Sequence, residues 1–293
     1  MNMQLNIGPA ELRIEGLERT DFPENAIKFA AEVETDKATP AAISLDYRFC
    51  FVDTLPDAAD GWTVVMGKPE ITVWRKGKLE RRSIGVLGAQ QRYVVYEEME
   101  NGGIGIFFLK NMRIELAYDT VFLSCLSLER HLAPLGCYIL HCSYLDYKGE
   151  AILFSGPSGI GKSTHSNLWV KNIEGCKILN GDRGLLVPRA DGSGYDVCGW
   201  PVCGTSGICF NERRPVRAII FIEQAAENRL LPDSVPRHFK SLIAQLTVNW
   251  WNREASDKAL DAVNDILSKV TVHTYAANIE DDAPQTLRRC LYE

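Results

Sequence analysis

Residues 151–163 read Ala151-Ile152-Leu153-Phe154-Ser155-Gly156-Pro157-Ser158-Gly159-Ile160-Gly161-Lys162-Ser163. The first five form a short apolar run, the pattern of a buried strand. The next eight match G-x-x-x-x-G-K-[ST], a glycine-rich loop whose backbone N–H groups cradle phosphates. In that pattern Lys162 neutralises charge and the Ser163 hydroxyl reaches Mg2+. From Ser163 to Val170 the chain can open a helix, and the N-terminal dipole of that helix would face the phosphates. Strand, loop and helix in this order predict an α/β nucleotide-binding unit. Gly156, Pro157, Ser158, Gly159, Ile160, Gly161, Lys162, Ser163 and Thr164 would surround the phosphates.

Just upstream, Tyr138 to Asp146 alternates as a strand, and Lys148-Gly149 offers a tight turn. The loop strand therefore has an antiparallel partner that enters it through a hairpin. With Lys148 and Gly149 as turn residues, Tyr147 pairs with Glu150. Continuing that register puts His141 opposite Gly156, at the mouth of the loop. Such a histidine is either a satisfied core residue or a neighbour of the γ-phosphate.

Downstream, Cys176 to Leu179 is short and apolar and ends in Asn180-Gly181-Asp182-Arg183. Asp182 is then placed as a carboxylate at the end of a neighbouring strand. There it could hold Mg2+ through water or accept a hydroxyl proton; the other reading is a turn aspartate after Asn-Gly. Gly199 to Gly207 is glycine-rich and follows a predicted strand, Tyr195 to Cys198. It fits a substrate loop and a plain connection equally. Arg213, Arg214 and Arg217 precede an apolar strand, Ala218 to Phe221. One of them could clamp phosphate, although solvated arginines at a strand start are the commoner case.

The first 115 or so residues read as β-rich. Ile43 to Phe51 carries strand formers. Hairpins are predicted around Lys76-Gly77-Lys78 and Asn101-Gly102-Gly103. Thr120 to Leu135 reads as one helix, stopped by Pro134 and Gly136. The expected division is a β-rich domain over 1–117 and a nucleotide-binding domain over 118–293. Further helices are predicted over His238 to Trp251, Ser256 to Val270 and Pro284 to Leu291, with a strand at Val270 to Tyr275. Trp250-Trp251 reads as packing material.

The formal net charge is -6 and no long run of lysine or arginine occurs, which argues against nucleic-acid or anionic-membrane partners. No apolar stretch has transmembrane length, and Met1 to Pro9 shows no signal pattern, so a cytoplasmic protein is expected. Nine cysteines include no C-x-x-C pair, and Cys198, Cys203 and Cys209 fit no common zinc spacing. Reduced thiols used as small buried hydrophobes are the expectation.

Together, His141, the Lys148-Gly149 turn, the loop Gly156 to Ser163 and Asp182 resemble the catalytic core of HPr kinase/phosphorylase. That family shares its nucleotide-binding fold with phosphoenolpyruvate carboxykinase. It has a histidine at the same separation from the loop lysine as His141 has from Lys162, and an Asp-Asp pair where this chain has Gly181-Asp182. The resemblance covers residues 136–190. It implies a P-loop domain with a mixed sheet, and Asp182 as the proton acceptor. It also implies that His141 and Lys162 are active-site groups, that Ser163 is a magnesium ligand with Asp182 beside it, and that ATP and Mg2+ are bound, GTP remaining open.

The chain departs from that family in three places. Thr164 and His165 stand where a glutamate follows the loop serine. Gly181 replaces the first aspartate. Between Gly184 and Asn211 only Asp191 and Asp196 are acidic, and neither matches the downstream metal ligand clearly. The family's HPr-docking segment has no recognisable counterpart either.

The leading expectation is an ATP-dependent kinase acting on a hydroxyl of a protein serine or a small molecule. The alternatives are a nucleotide-binding sensor without transfer activity and, behind it, carboxykinase-like chemistry. Homo-oligomerisation is left open.

Overall fold

Alternation in the first two strands sets the amino-terminal sheet. In β1 (Met3–Ile7) and β2 (Ala10–Glu15), Met3, Leu5, Ile7, Ala10, Leu12 and Ile14 turn inward, while their polar neighbours face out. The structure, a computed structural model, describes residues 2–31, 41–86 and 91–293. It divides into two units, Met1–Leu128 and Glu129–Glu293.

The first unit contains α1 (Glu24–Ile27), β3 (Ile43–Val52), β4 (Thr63–Lys68), β5 (Ile71–Lys76), β6 (Leu79–Gly85), β7 (Arg92–Glu98), β8 (Ile104–Leu109) and α2 (Asp119–Leu126). Among the described residues eight strands form one mixed sheet in the order β1-β2-β3-β8-β7-β6-β5-β4. The β2–β3 and β3–β8 pairs are parallel and the rest antiparallel. Both predicted hairpins form where the glycine turns stand.

The predicted helix over 120–135 is broken. Ser127 takes a left-handed conformation (φ 48°) after α2, and only a four-residue turn of helix, α3 (Glu129–Leu132), follows. The unit boundary moves with the break, from 117/118 to 128/129, because α2 packs on the first sheet. The Phe122 ring lies 5.5 Å from that of Phe22 and 6.4 Å from that of Phe49. Phe122 is fully buried, so Phe122→Ala is expected to destabilise this unit by about 3–5 kcal/mol, read as a drop in urea midpoint.

The second unit continues with β9 (Tyr138–Tyr147), β10 (Glu150–Ser155), α4 (Lys162–Asn172), β11 (Cys176–Asn180), β12 (Arg183–Pro188), β13 (Tyr195–Cys198), β14 (Arg213–Gln224), β15 (Arg229–Leu230), α5 (Val235–Gln245), α6 (Arg253–Lys269), β16 (Thr271–Ala277) and α7 (Ala283–Tyr292). Lys148 and Gly149 both take positive φ (57° and 82°), as a two-residue hairpin turn of this hand requires. Tyr147 pairs with Glu150 as expected. β10 lies antiparallel to β9 and parallel to β14, and β16 extends the parallel set. This is a mixed α/β unit on a mixed sheet.

Its central strands are buried on both faces, which explains their unbroken apolar runs. Leu153, Ile219 and Phe221 meet α5 and α6 through Leu242, Val263 and Ile266. Ile152, Phe154, Ile220 and Ile222 meet α4 and α7 through Trp169, Leu287 and Leu291. The helix predicted to reach Trp251 stops at Gln245, and Trp250 is 54% exposed rather than packed inside. All nine cysteines are free thiols, and six of them, Cys198, Cys203 and Cys209 included, are buried. Among the described residues no helix is long and apolar enough to cross a membrane.

Candidate functional site

The parallel strands β10, β14 and β16 end on one side of their sheet, and the glycine-rich loop leaves β10 there. Gly159 and Gly161 take φ of 79° and 116°, a region that side-chain-bearing residues rarely enter. Pro157, Ser158, Gly159, Ser163 and Thr164 are exposed, and Ile160 is half-buried. α4 starts at Lys162 with no side-chain cap on its first amides. Exposed, uncapped amides at a helix start are donors ready for an anion.

Lys162 turns back under this loop. Its Nζ donates to the Gly156 and Pro157 carbonyls, both at 3.1 Å, and the residue is 7% exposed. Burial lowers the ammonium pKa, and the field of Asp182 works the other way. The cation is thus held close to the loop by two weak neutral acceptors, which a phosphate oxygen would outbid.

His141 and Asp182 come together beside the loop. The β9–β10 ladder ends at Cys142–Ser155, one pair before the expected His141–Gly156 contact. Ser155 Oγ instead donates to the His141 carbonyl at 2.8 Å, and His141 pairs across β12 with Arg183. Asp182 sits in the turn between β11 and β12, where its carbonyl accepts the Cys142 amide at 2.9 Å. His141 Nε2 lies 3.4 Å from Asp182 Oδ1, and Arg183 Nε lies 3.1 Å from Oδ2. Ser163 Oγ reaches the Gly181 carbonyl at 3.5 Å, which joins the start of α4 to this turn.

The hydrogen bond from His141, then the charge of Arg183, holds the Asp182 carboxyl below its usual 3.8. A depressed carboxyl contributes stability that is complete above 3.8 and is lost as pH falls through its lowered value. The gap in urea midpoint between wild type and Asp182→Asn should therefore narrow on going below pH 3.8. A gap constant from neutral to acid pH would contradict this assignment.

Two residues that hold the site escaped the sequence reading. Asn180 is fully buried and bonds four backbone groups. Its Nδ2 donates to the Trp200 and Val202 carbonyls at 2.8 and 3.1 Å. Its Oδ1 accepts the Asp182 and Arg183 amides at 2.8 and 3.0 Å. One side chain thus ties the Asp182 turn to the loop over 199–207. Gln245, at the end of α5, places Oε1 3.1 Å from His141 Nδ1. The imidazole is held at both nitrogens, between an amide and a carboxylate.

No protein-family model matches the chain, and no curated protein matches it. The site therefore stands on its own geometry.

That geometry separates the remaining candidates. The loop over 199–207 lies against the site: a Cβ on Gly204 would sit 3.1–3.3 Å from Asp182 side-chain atoms. The arginines do not reach it. Arg213 and Arg214 lie inside β14, at the end away from the glycine-rich loop. Arg213 pairs with Asp196 (2.6 Å), Arg214 with Asp146 (2.6 Å) and Glu212 (2.5 Å), and Arg217 donates to the Leu291 carbonyl. The parallel register with β10 fixes their distance from the loop, so a phosphate clamp from this group is ruled out in this arrangement.

Among the described residues no group of three or more His, Cys, Asp or Glu side chains could hold a metal by itself. Asp182 and Ser163, which meets the Gly181 carbonyl, do offer hard oxygen donors. That is a fit for Mg2+, which usually takes one or two protein ligands together with substrate phosphates and water. An open groove of about 690 Å3 lies elsewhere, on β1, β2, β3 and β8 of the first unit, and contains none of these residues.

Proposed function

We propose that the chain is an ATP-dependent phosphotransferase, similar in its core to HPr kinase/phosphorylase, that moves the γ-phosphate to a hydroxyl. The observation that supports this most is the meeting of three groups: the buried Lys162 under an open amide loop, Ser163 on Gly181, and the Asp182–His141 pair beside them. Phosphoryl transfer asks for positioning, charge neutralisation and a group to take the hydroxyl proton, and little else.

In this reading the loop amides and Lys162 hold the β- and γ-phosphates. Ser163 and Asp182 would hold Mg2+, whose charge offsets that of the phosphates. Asp182, ionised at neutral pH as carboxylates are, takes the hydroxyl proton. His141, steadied by Gln245, orients the Asp182 carboxylate. The acceptor is a protein serine or a small alcohol.

A second reading, a nucleotide sensor without transfer, draws on one observation. Gly181 replaces an acidic residue of the resembling family, and a side chain there would overlap Ser206. Incubation with γ-labelled ATP, Mg2+ and candidate acceptors separates the two. Label on an acceptor supports the transferase. Nucleotide binding with no hydrolysis and no transfer supports the sensor.

A further inference from the structure

The segment Gly204-Thr205-Ser206-Gly207 is exposed and flanked by two glycines with left-handed φ, 58° and 67°. It does not extend into solvent. Ser206 sits directly on Gly181, where an added Cβ would overlap its Oγ and Cβ. Gly204 stands beside the Asp182 side chain, where an added Cβ would come within 3.1 Å of it. The Ser163 hydroxyl meets the Gly181 carbonyl at 3.5 Å. An aliphatic hydroxyl is thus lodged against the same glycine as the loop serine, one residue from the proposed proton acceptor.

We propose that Ser206 is a phosphate acceptor within its own chain. The inference rests on the phosphotransferase reading of the site. Ser206 Oγ would attack the γ-phosphorus of a bound nucleoside triphosphate and form the new O–P bond. The bond from that phosphorus to the β–γ bridging oxygen breaks, and the nucleoside diphosphate leaves with its electron pair. The Ser206 proton passes to Asp182. In the resting structure that proton points at the Cys203 carbonyl (2.6 Å), and the Ile208 amide donates to Ser206 Oγ at 3.1 Å. Turning the hydroxyl toward Asp182 requires that local pair to open. The two left-handed glycines give the tip the backbone freedom to re-aim.

The position of Gly181 supports an acceptor role over a passive one. A side chain at 181 would displace Ser206, so the glycine is what admits the hydroxyl to this place. Once made, a phosphoserine would bring about two negative charges beside Asp182 and push the segment off the carboxylate. The modified chain would then differ from the unmodified one in how open the site is.

The test uses the purified full chain with γ-labelled ATP and Mg2+, without any acceptor, followed by mass-spectrometric mapping of the phosphopeptide. The expected result is one phosphoryl group on Ser206. Thr205→Ala should keep the label, whereas Ser206→Ala and Lys162→Ala should lose it. Site mapping on the wild type decides the matter even where Ser206→Ala fails to fold. The rate per molecule should not depend on protein concentration, and a rate that rises with it would overturn transfer within one chain. ATP titration on the same preparation separates two failures. Binding with no label on Ser206, or with label on another residue, overturns this inference alone. No binding overturns the phosphotransferase reading as well.

Discussion

Replacing Lys162 by alanine is expected to abolish the stabilisation that ATP and Mg2+ confer on the wild type. At a ligand concentration near one hundred times Kd, that stabilisation should be about 2.7 kcal/mol. For a unit of this size it corresponds to a rise of about 5–10 °C in Tm. The reason lies in how the ammonium is held. Lys162 is nearly buried, and its partners are two loop carbonyls with no full charge. A triphosphate entering the loop meets a partly desolvated cation at short range, where Coulomb attraction is strong. Alanine leaves the amides in place but removes the ammonium bonded to the loop carbonyls. Differential scanning fluorimetry with and without nucleotide reads the effect. A full shift retained in Lys162→Ala would remove this residue from its role.

The second large effect should fall on turnover. Asp182→Asn keeps the shape of the side chain but not its capacity to take a proton. Transfer to an acceptor is expected to fall by about 10²–10⁴-fold, the range typical of a lost general base. Nucleotide affinity should change far less, because the loop amides and Lys162 remain. Steady-state kinetics beside a nucleotide titration separates the two quantities. Loss of binding without loss of turnover per bound complex would make Asp182 a metal-holding residue alone. An unchanged rate would exclude it from the chemistry.

The parts of this site that were legible in the sequence are those set by local chemistry. Lys148-Gly149 demands a two-residue turn, and that turn fixes which residues of β9 face β10. Counting along that register leaves His141 one residue beyond the last ladder pair, Cys142–Ser155, where the Ser155 hydroxyl bonds its carbonyl. Asp182 follows from the length of β11 and the turn after it. The apolar runs of β10 and β14 announce strands covered on both faces.

What was not legible depends on packing between distant elements. Gln245 meets His141 only because the end of α5 docks on β9, with Leu246 bridging Leu140 and the Thr247 amide bonding the Ile139 carbonyl. No local pattern marks that residue. Asn180 reads locally as the first half of an Asn-Gly turn, and its four backbone bonds appear only once the loop over 199–207 folds onto it. Ser127 has no sequence feature that announces a left-handed backbone, so one helix was expected where α2 ends and the chain passes to the second unit. The arginines of β14 failed as a phosphate clamp for a directional reason. Ala151 pairs beside Val216 and Ser155 beside Phe221, so the strand carries Arg213 and Arg214 away from the loop end.

A triphosphate settling on the amides after Ser155 is the central requirement of the proposed transfer. Isothermal titration of the folded wild-type chain with ATP and with GTP, each with Mg2+, tests this directly. The predicted result is saturable binding of one nucleotide per chain, lost in Lys162→Ala. No heat of binding with either nucleotide, on protein shown to be folded, would contradict it.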